Sequence, residues 1–266
     1  MVELKFKIDK EDDINIWLKF LNNSNKANSF GRDRLSNLPK DFLDKVIDKP
    51  ESEQREIISN YIEQYYTEKH LIKFKVESFN KVKENLDKII ERLEKLHNRK
   101  LPVNKIIVKY ETFTCCPYMW RGKESDWFGL YFATYVLDQD SQILVFCHEV
   151  MHLFFHYYYF DYCLEKGLNE KQTMDLKEAV TVLLNYELTD IIDKKDYGHP
   201  SHKQLRIQLV EIWNSMEEKD FQLLLDKAID NMKGKDNSNQ DKDSPSRKPE
   251  KIIKCLPTKE ELKRLI

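Results

Sequence analysis

Glycine is scarce in this chain: there are six among 266 residues, and no two stand closer than seven positions. A dinucleotide fingerprint GxGxxG, a P-loop GxxxxGK[ST] and a nucleophile elbow GxSxG all set glycines nearer together than that, so all three are excluded. Net charge is nearly absent as well. The 44 basic and 46 acidic residues leave −2, which gives no global attraction to nucleic acid or to an anionic membrane surface. Cysteine is sparse and odd in number: Cys115, Cys116, Cys147, Cys163 and Cys255, with no CxxC pair. That set argues against a disulfide framework and for a reducing, cytoplasmic setting. Cys115, Cys116 and Cys147 read as inert buried thiols. The opening MVELKFKIDKEDD lacks the apolar stretch of a signal peptide. Only ILVFCHEVMHLFFHYYYF (143–160) is long enough to raise a membrane span, and its His148, Glu149, His152 and His156 would be costly in lipid.

Charge and aromatic rings are plentiful instead. Charged residues reach 34%, against about 25% ordinarily, while aromatics at 12% and balanced signs argue against general disorder. A chain of this length buries roughly three quarters of its unfolded surface. Residues 2–8 alternate Val2, Leu4, Phe6 and Ile8 with charged neighbours, the pattern of a half-buried strand. Amphipathic stretches follow near 12–22, 41–48 and 52–67. From 76 to 98, Phe79, Val82, Leu86, Ile89, Leu93 and Leu96 repeat at steps of three and four. That repeat suits a coiled coil, but Ile90 widens the stripe toward a helix laid on a sheet.

After Pro102, residues 103–113 and 127–137 read as strands by their β-branched and aromatic content. Ser141 is a plausible N-cap for a helix over 142–165. Further helices are expected over 170–187, 201–215 and 217–232, with a DYGHP turn between the first two. The polar stretch 233–250 reads as a flexible linker. Residues 251–266 carry Thr258 and Glu261 at capping-box spacing, a tethered amphipathic tail that could dock on this chain or on a partner. The expected division is thus 1–75, an N-terminal strand and helices packed on 76–232, then linker and tail.

The chemistry sits in HEVMH, His148 to His152. Helical residues four apart are separated by about 40° and about 6 Å, so two imidazoles converge on one ion. Their nitrogens would each stand at about 2.0–2.1 Å from zinc. Glu149 adjoins the first histidine and reaches a water at an open metal position, where a general base is needed. Because the surrounding segment is apolar on every side, two histidines and a glutamate buried there would be costly without a partner, and a zinc ion would satisfy all three. The plainer alternative is a pair of core histidines bonded to backbone.

A catalytic zinc needs a third protein ligand. His156 lies about 9 Å along a straight helix from the midpoint of the pair, and Asp161 faces away. Glu178 is the preferred ligand, on a helix whose buried stripe is Leu176, Val180, Leu183 and Leu184. Ala179 beside it permits close helix approach. Thr181 and Asn185 share its side and could orient a ligating ring. Asp175 is the rival ligand.

HEVMH followed by Glu178 resembles the gluzincin branch of zincin metallopeptidases, which pair HExxH with a glutamate from a following helix. HEVMHLFFH is similar to the ImmA/IrrE group of bacterial regulatory metallopeptidases. The resemblance spans roughly residues 76–190 and implies zinc on His148, His152 and Glu178, with Glu149 as base. It implies an α+β, zincin-like fold: a small mixed sheet on a long helix, then the buried HExxH helix and a glutamate-bearing helix. Two departures stand out: Val182 occupies the place where thermolysin-like enzymes carry an acid, and LFFH lacks the GxxH of metzincins. In zincins an edge strand before the active-site helix receives an extended peptide. Trp127–Val136 occupies that place in the order, with Trp127, Tyr131 and Tyr135 available for side-chain pockets. Zincins also use a His or Tyr as oxyanion donor, which makes Tyr197, His199 and His202 candidates. The expected function is hydrolysis of a peptide or protein substrate. The alternative is a zinc-stabilised interaction or regulatory module without catalysis.

Overall fold

The computed structural model describes residues 2–23, 38–67, 80–113, 118–133 and 139–236. Its centre is a four-stranded sheet in the order β1-β2-β4-β3. The strands are β1 (Glu3–Lys7), β2 (Lys105–Glu111), β3 (Tyr118–Met119) and β4 (Trp127–Ala133). β1, β2 and β4 run parallel, and the two-residue β3 pairs antiparallel with Leu130 and Gly129 of β4. Helices dominate the remainder, so the architecture is a mixed α/β one, compatible with the α+β class expected.

Strand alternation decides what each face carries. Ile106, Val108 and Tyr110 of β2 and Phe128, Leu130 and Phe132 of β4 enter one core. That core contains α4 (Asn80–His97) and α5 (Gln139–Phe154). The apolar stripe Val82, Leu86, Ile89, Leu93 and Leu96 of α4 is buried as its periodicity requires. Tyr131 and Phe113 join a second core on the opposite face. This one is built with α1 (Lys10–Asn23), α2 (Lys40–Val46) and α3 (Glu51–Ile62) around Trp17, Phe42 and Ile58. The sheet is therefore sandwiched between helices.

Several expectations change. β4 has β2 on one side and β3 on the other, so it is an inner strand along Gly129 and Leu130; the edge is β3. Tyr131 faces the second core and so is core, not pocket lining, while Tyr135 lies outside the described residues. α5 begins at Gln139, which places Ser141 inside the first turn, where its hydroxyl accepts from Lys194 at 3.0 Å. The long helix expected to residue 165 is interrupted by a π turn over Phe155–Tyr159 before α6 (Phe160–Glu165). Phe155 and Tyr159 are both buried there, and the Tyr159 hydroxyl donates to the His97 carbonyl at 3.0 Å. The helix expected over 170–187 is α7 (Glu170–Val180), a 3-10 turn (Thr181–Leu183) and α8 (Leu184–Glu187). A capping box of Asn169 and Gln172 starts α7.

α9 (Lys203–Ser215) and α10 (Phe221–Asp236) close the described chain. α10 carries the helix four residues past Met232, into the stretch read as linker; the rest of that linker, the 251–266 tail, Cys115, Cys116 and the 75/76 boundary lie outside the described residues. Among the described residues, no helix is long and apolar enough to cross a membrane.

Candidate metal centre

α5 is buried over most of its surface, with Phe146, Cys147, Val150, Met151, Leu153 and Phe154 fully covered. Burial pushes the Cys147 thiol above its ordinary range, so it is not a nucleophile at neutral pH. His148 and His152 emerge on the side of α5 facing α7, where Glu178 sits. Ligand atoms of His148, His152 and Glu178 lie within 4.8 Å of one another. Glu178 Oε2 stands 3.7 Å from His148 Nε2 and 3.5 Å from His152 Nε2. Donors about 2.0–2.1 Å from one tetrahedral ion are about 3.3–3.4 Å apart, so these spacings suit zinc with little adjustment.

Unpaired polar atoms mark the same spot. His152 is 2% exposed, yet neither of its ring nitrogens has a hydrogen-bond partner, and the same is true of Glu149 Oε2. Glu149 Oε2 lies 3.3 Å from His152 Nδ1, but without hydrogen-bond geometry. Buried polar atoms left in this state are costly, and a cation beside Glu178 would give His152 Nε2 its partner. Burial and the neighbouring His148 lower the pKa of His152.

His148 is oriented from behind by Asp196, whose Oδ2 lies 3.1 Å from Nδ1. A carboxylate on the far nitrogen of a ligating histidine fixes its tautomer and raises its basicity. Asp196 is in turn fixed on all sides. Its backbone exchanges two hydrogen bonds with the Asn185 amide, at 2.7 and 2.8 Å, and Gly198 N–H donates to Oδ1 at 2.8 Å. Arg206 donates to the Asp196 carbonyl and to the Thr181 hydroxyl, and Thr181 donates to the Glu178 carbonyl at 2.9 Å. Burial opposes the Asp196 carboxylate, but His148 and Arg206 outweigh it and hold its pKa below the usual range. Thr181 and Asn185 thus serve the rings indirectly, through Asp196 and Arg206.

The other candidates separate from the cluster. Asp175 pairs with Lys171 at 2.8 Å and with His202 Nε2 at 3.2 Å, outside the three-residue group. Tyr197 is 83% exposed, and the exposed His199 bonds Ser201. His156, carried by the π turn, meets the Tyr118 hydroxyl and stacks on Trp120 and Phe160. Burial and the Lys177 ammonium depress its pKa to about 3, so the ring is neutral and accepts.

Reasoning from sequence missed Asp196, Tyr118 and Lys177. Asp196 lies in the DYGHP turn already singled out, and an aspartate two before a glycine is a known turn former. Lys177 had a signal in its phase: four residues after Thr173 and three before Val180, it shares their buried face. Tyr118 had none. No protein-family model, curated protein or solved structure matches this chain.

Proposed function

We propose that this chain is a zinc-dependent metallopeptidase of zincin-like architecture, hydrolysing peptide bonds in a peptide or protein substrate. The observation that carries the reading is the convergence of both HEVMH imidazoles with Glu178, with Glu149 beside them and its Oε2 without a hydrogen-bond partner. Zinc at that point would polarise a scissile carbonyl and bring the pKa of a water near 7. His148, His152 and Glu178 would hold the ion. Asp196 keeps the His148 ring in the tautomer that presents Nε2. Glu149 takes the proton from the attacking water and returns it to the leaving amine.

The test is metal analysis of the purified chain paired with Glu149→Gln. About one zinc per chain is expected. The variant should keep the ion and lose at least about 100-fold in hydrolysis of an unfolded protein substrate. A zinc-free chain with its fold intact sinks the reading, and a Gln variant that loses zinc moves Glu149 into the ligand set. Zinc retention with no hydrolysis in either form leaves only a zinc-stabilised module, and equal hydrolysis in both removes Glu149 as the base.

A further inference from the structure

Lys177 is a charged residue that the mechanism above does not use, and it is only 2% exposed. Burying an ammonium is costly unless its donors are matched. Its Nζ lies 2.9 Å from Glu178 Oε1 and donates to the Tyr118 hydroxyl at 3.1 Å, with the charge 4.9 Å from the centre of the Tyr118 ring. The Tyr118 hydroxyl in turn meets Nε2 of His156. These contacts form one line from the β3 edge to the ligand carboxylate: His156, Tyr118, Lys177, Glu178. The two oxygens of Glu178 are thereby divided. Oε1 belongs to Lys177, while Oε2 is the oxygen that faces both imidazoles.

We propose that Lys177 is a positioning residue that holds Glu178 to one-oxygen ligation and keeps a coordination position open for water and substrate. The proposal rests on the reading of His148, His152 and Glu178 as zinc ligands. Without the lysine, Oε1 is free to turn onto the ion and occupy the position that water needs. The ammonium also repels a dication held by the neighbouring carboxylate, so the arrangement gives up metal affinity to preserve an open site. A lysine present only for packing would act in the opposite direction: its loss would weaken metal binding and lower stability with and without metal.

The experiment compares wild type, Lys177→Met and Tyr118→Phe by zinc competition titration and by thermal melting with and without zinc. It adds the visible spectrum of each cobalt-substituted chain. Lys177→Met should bind zinc about tenfold or more tighter than wild type, since cation repulsion is gone and a second oxygen is gained. Its metal-free form should melt lower, because Glu178 Oε1 has lost its paired cation, and zinc should restore it, giving a larger zinc-induced shift than in wild type. The cobalt spectrum should change and hydrolysis should fall. Tyr118→Phe removes the hydroxyl that anchors Nζ and should move zinc affinity the same way by a smaller factor, which keeps the test alive if Lys177→Met does not fold. Weaker zinc binding in both variants, or affinity and cobalt spectrum equal to wild type, overturns the role. A wild-type chain that binds neither zinc nor cobalt removes the metal site itself, a distinct failure.

Discussion

At the scale of single residues, the orientation of a candidate ligand depends on the group behind it. Asp196 contacts His148 on the nitrogen that faces away from Glu178; Arg206 and Gly198 hold that carboxylate, and Asn185 holds its backbone. Asp196→Ala should therefore weaken zinc binding by about 10- to 100-fold, the usual cost of losing such a partner. Asp175→Ala should leave zinc affinity as it is, because Asp175 is spent on Lys171 and His202. Competitive zinc titration of the two variants reads the difference, and equal losses would return Asp175 to the ligand set. Gly198 belongs to the same argument. Its φ is +61°, and a Cβ there would stand 2.6 Å from an Arg206 guanidinium nitrogen. Gly198→Ala should thus displace Arg206 and loosen Asp196, with zinc affinity falling in the same direction as in Asp196→Ala.

At the scale of elements, α1 is fastened to the end of β2 by a buried carboxyl. Asp13 accepts from Thr112 N–H at 3.0 Å, from the Thr112 hydroxyl at 2.8 Å and from the Tyr66 hydroxyl at 2.9 Å. Burial outweighs these three bonds and pushes its pKa up to about 6. A carboxyl whose pKa is raised by folding binds its proton more tightly in the fold, so it favours folding most where both states are protonated. Its contribution is full below about pH 4, the unfolded value, and is lost as pH rises through about 6. Asp13→Asn should flatten that slope. Urea unfolding of both proteins at pH 4.5 and pH 7 checks it: the stability of wild type relative to the variant should fall between the two. A constant difference would mean that Asp13 is ionised in the fold throughout.

At the scale of the whole molecule, His97 sits where the end of α4, the π turn after α5 and the start of α10 meet. Its ring stacks on Phe154 at 4.6 Å, packs on Phe221 at 4.2 Å, and neither nitrogen has a partner. Burial lowers its pKa to about 3. The sign is opposite to that of Asp13. The neutral ring supports folding above about pH 6.5, and that support drains as pH falls toward 3, because the unfolded chain takes the proton first. His97→Phe should therefore gain on wild type as pH drops from 6 to 4, by up to about 1.4 kcal/mol per pH unit. Unfolding free energies across that range measure it; a difference independent of pH would show that the ring finds a proton acceptor in the fold.

What the sequence by itself determined is what local periodicity can carry. The steps of three and four in α4 predict its buried face, alternation in residues 2–8 predicts β1, and the four-residue spacing of His148 and His152 puts both rings on one side of α5. Glu178 was legible because the apolar stripe of α7 fixed its phase. Tertiary structure alone decided that β4 is flanked by β3, that the helix after His152 widens into a π turn, and that Asp196, Lys177 and Tyr118 surround the three candidate ligands. Tyr118 and Asp196 lie 60 and 18 residues from Glu178, in a two-residue strand and a turn, where no periodicity exists to read. A repeat records which face of an element must leave water. Which distant group then covers that face is settled only when the packed chain pairs each buried donor with an acceptor, and that choice has no local signature.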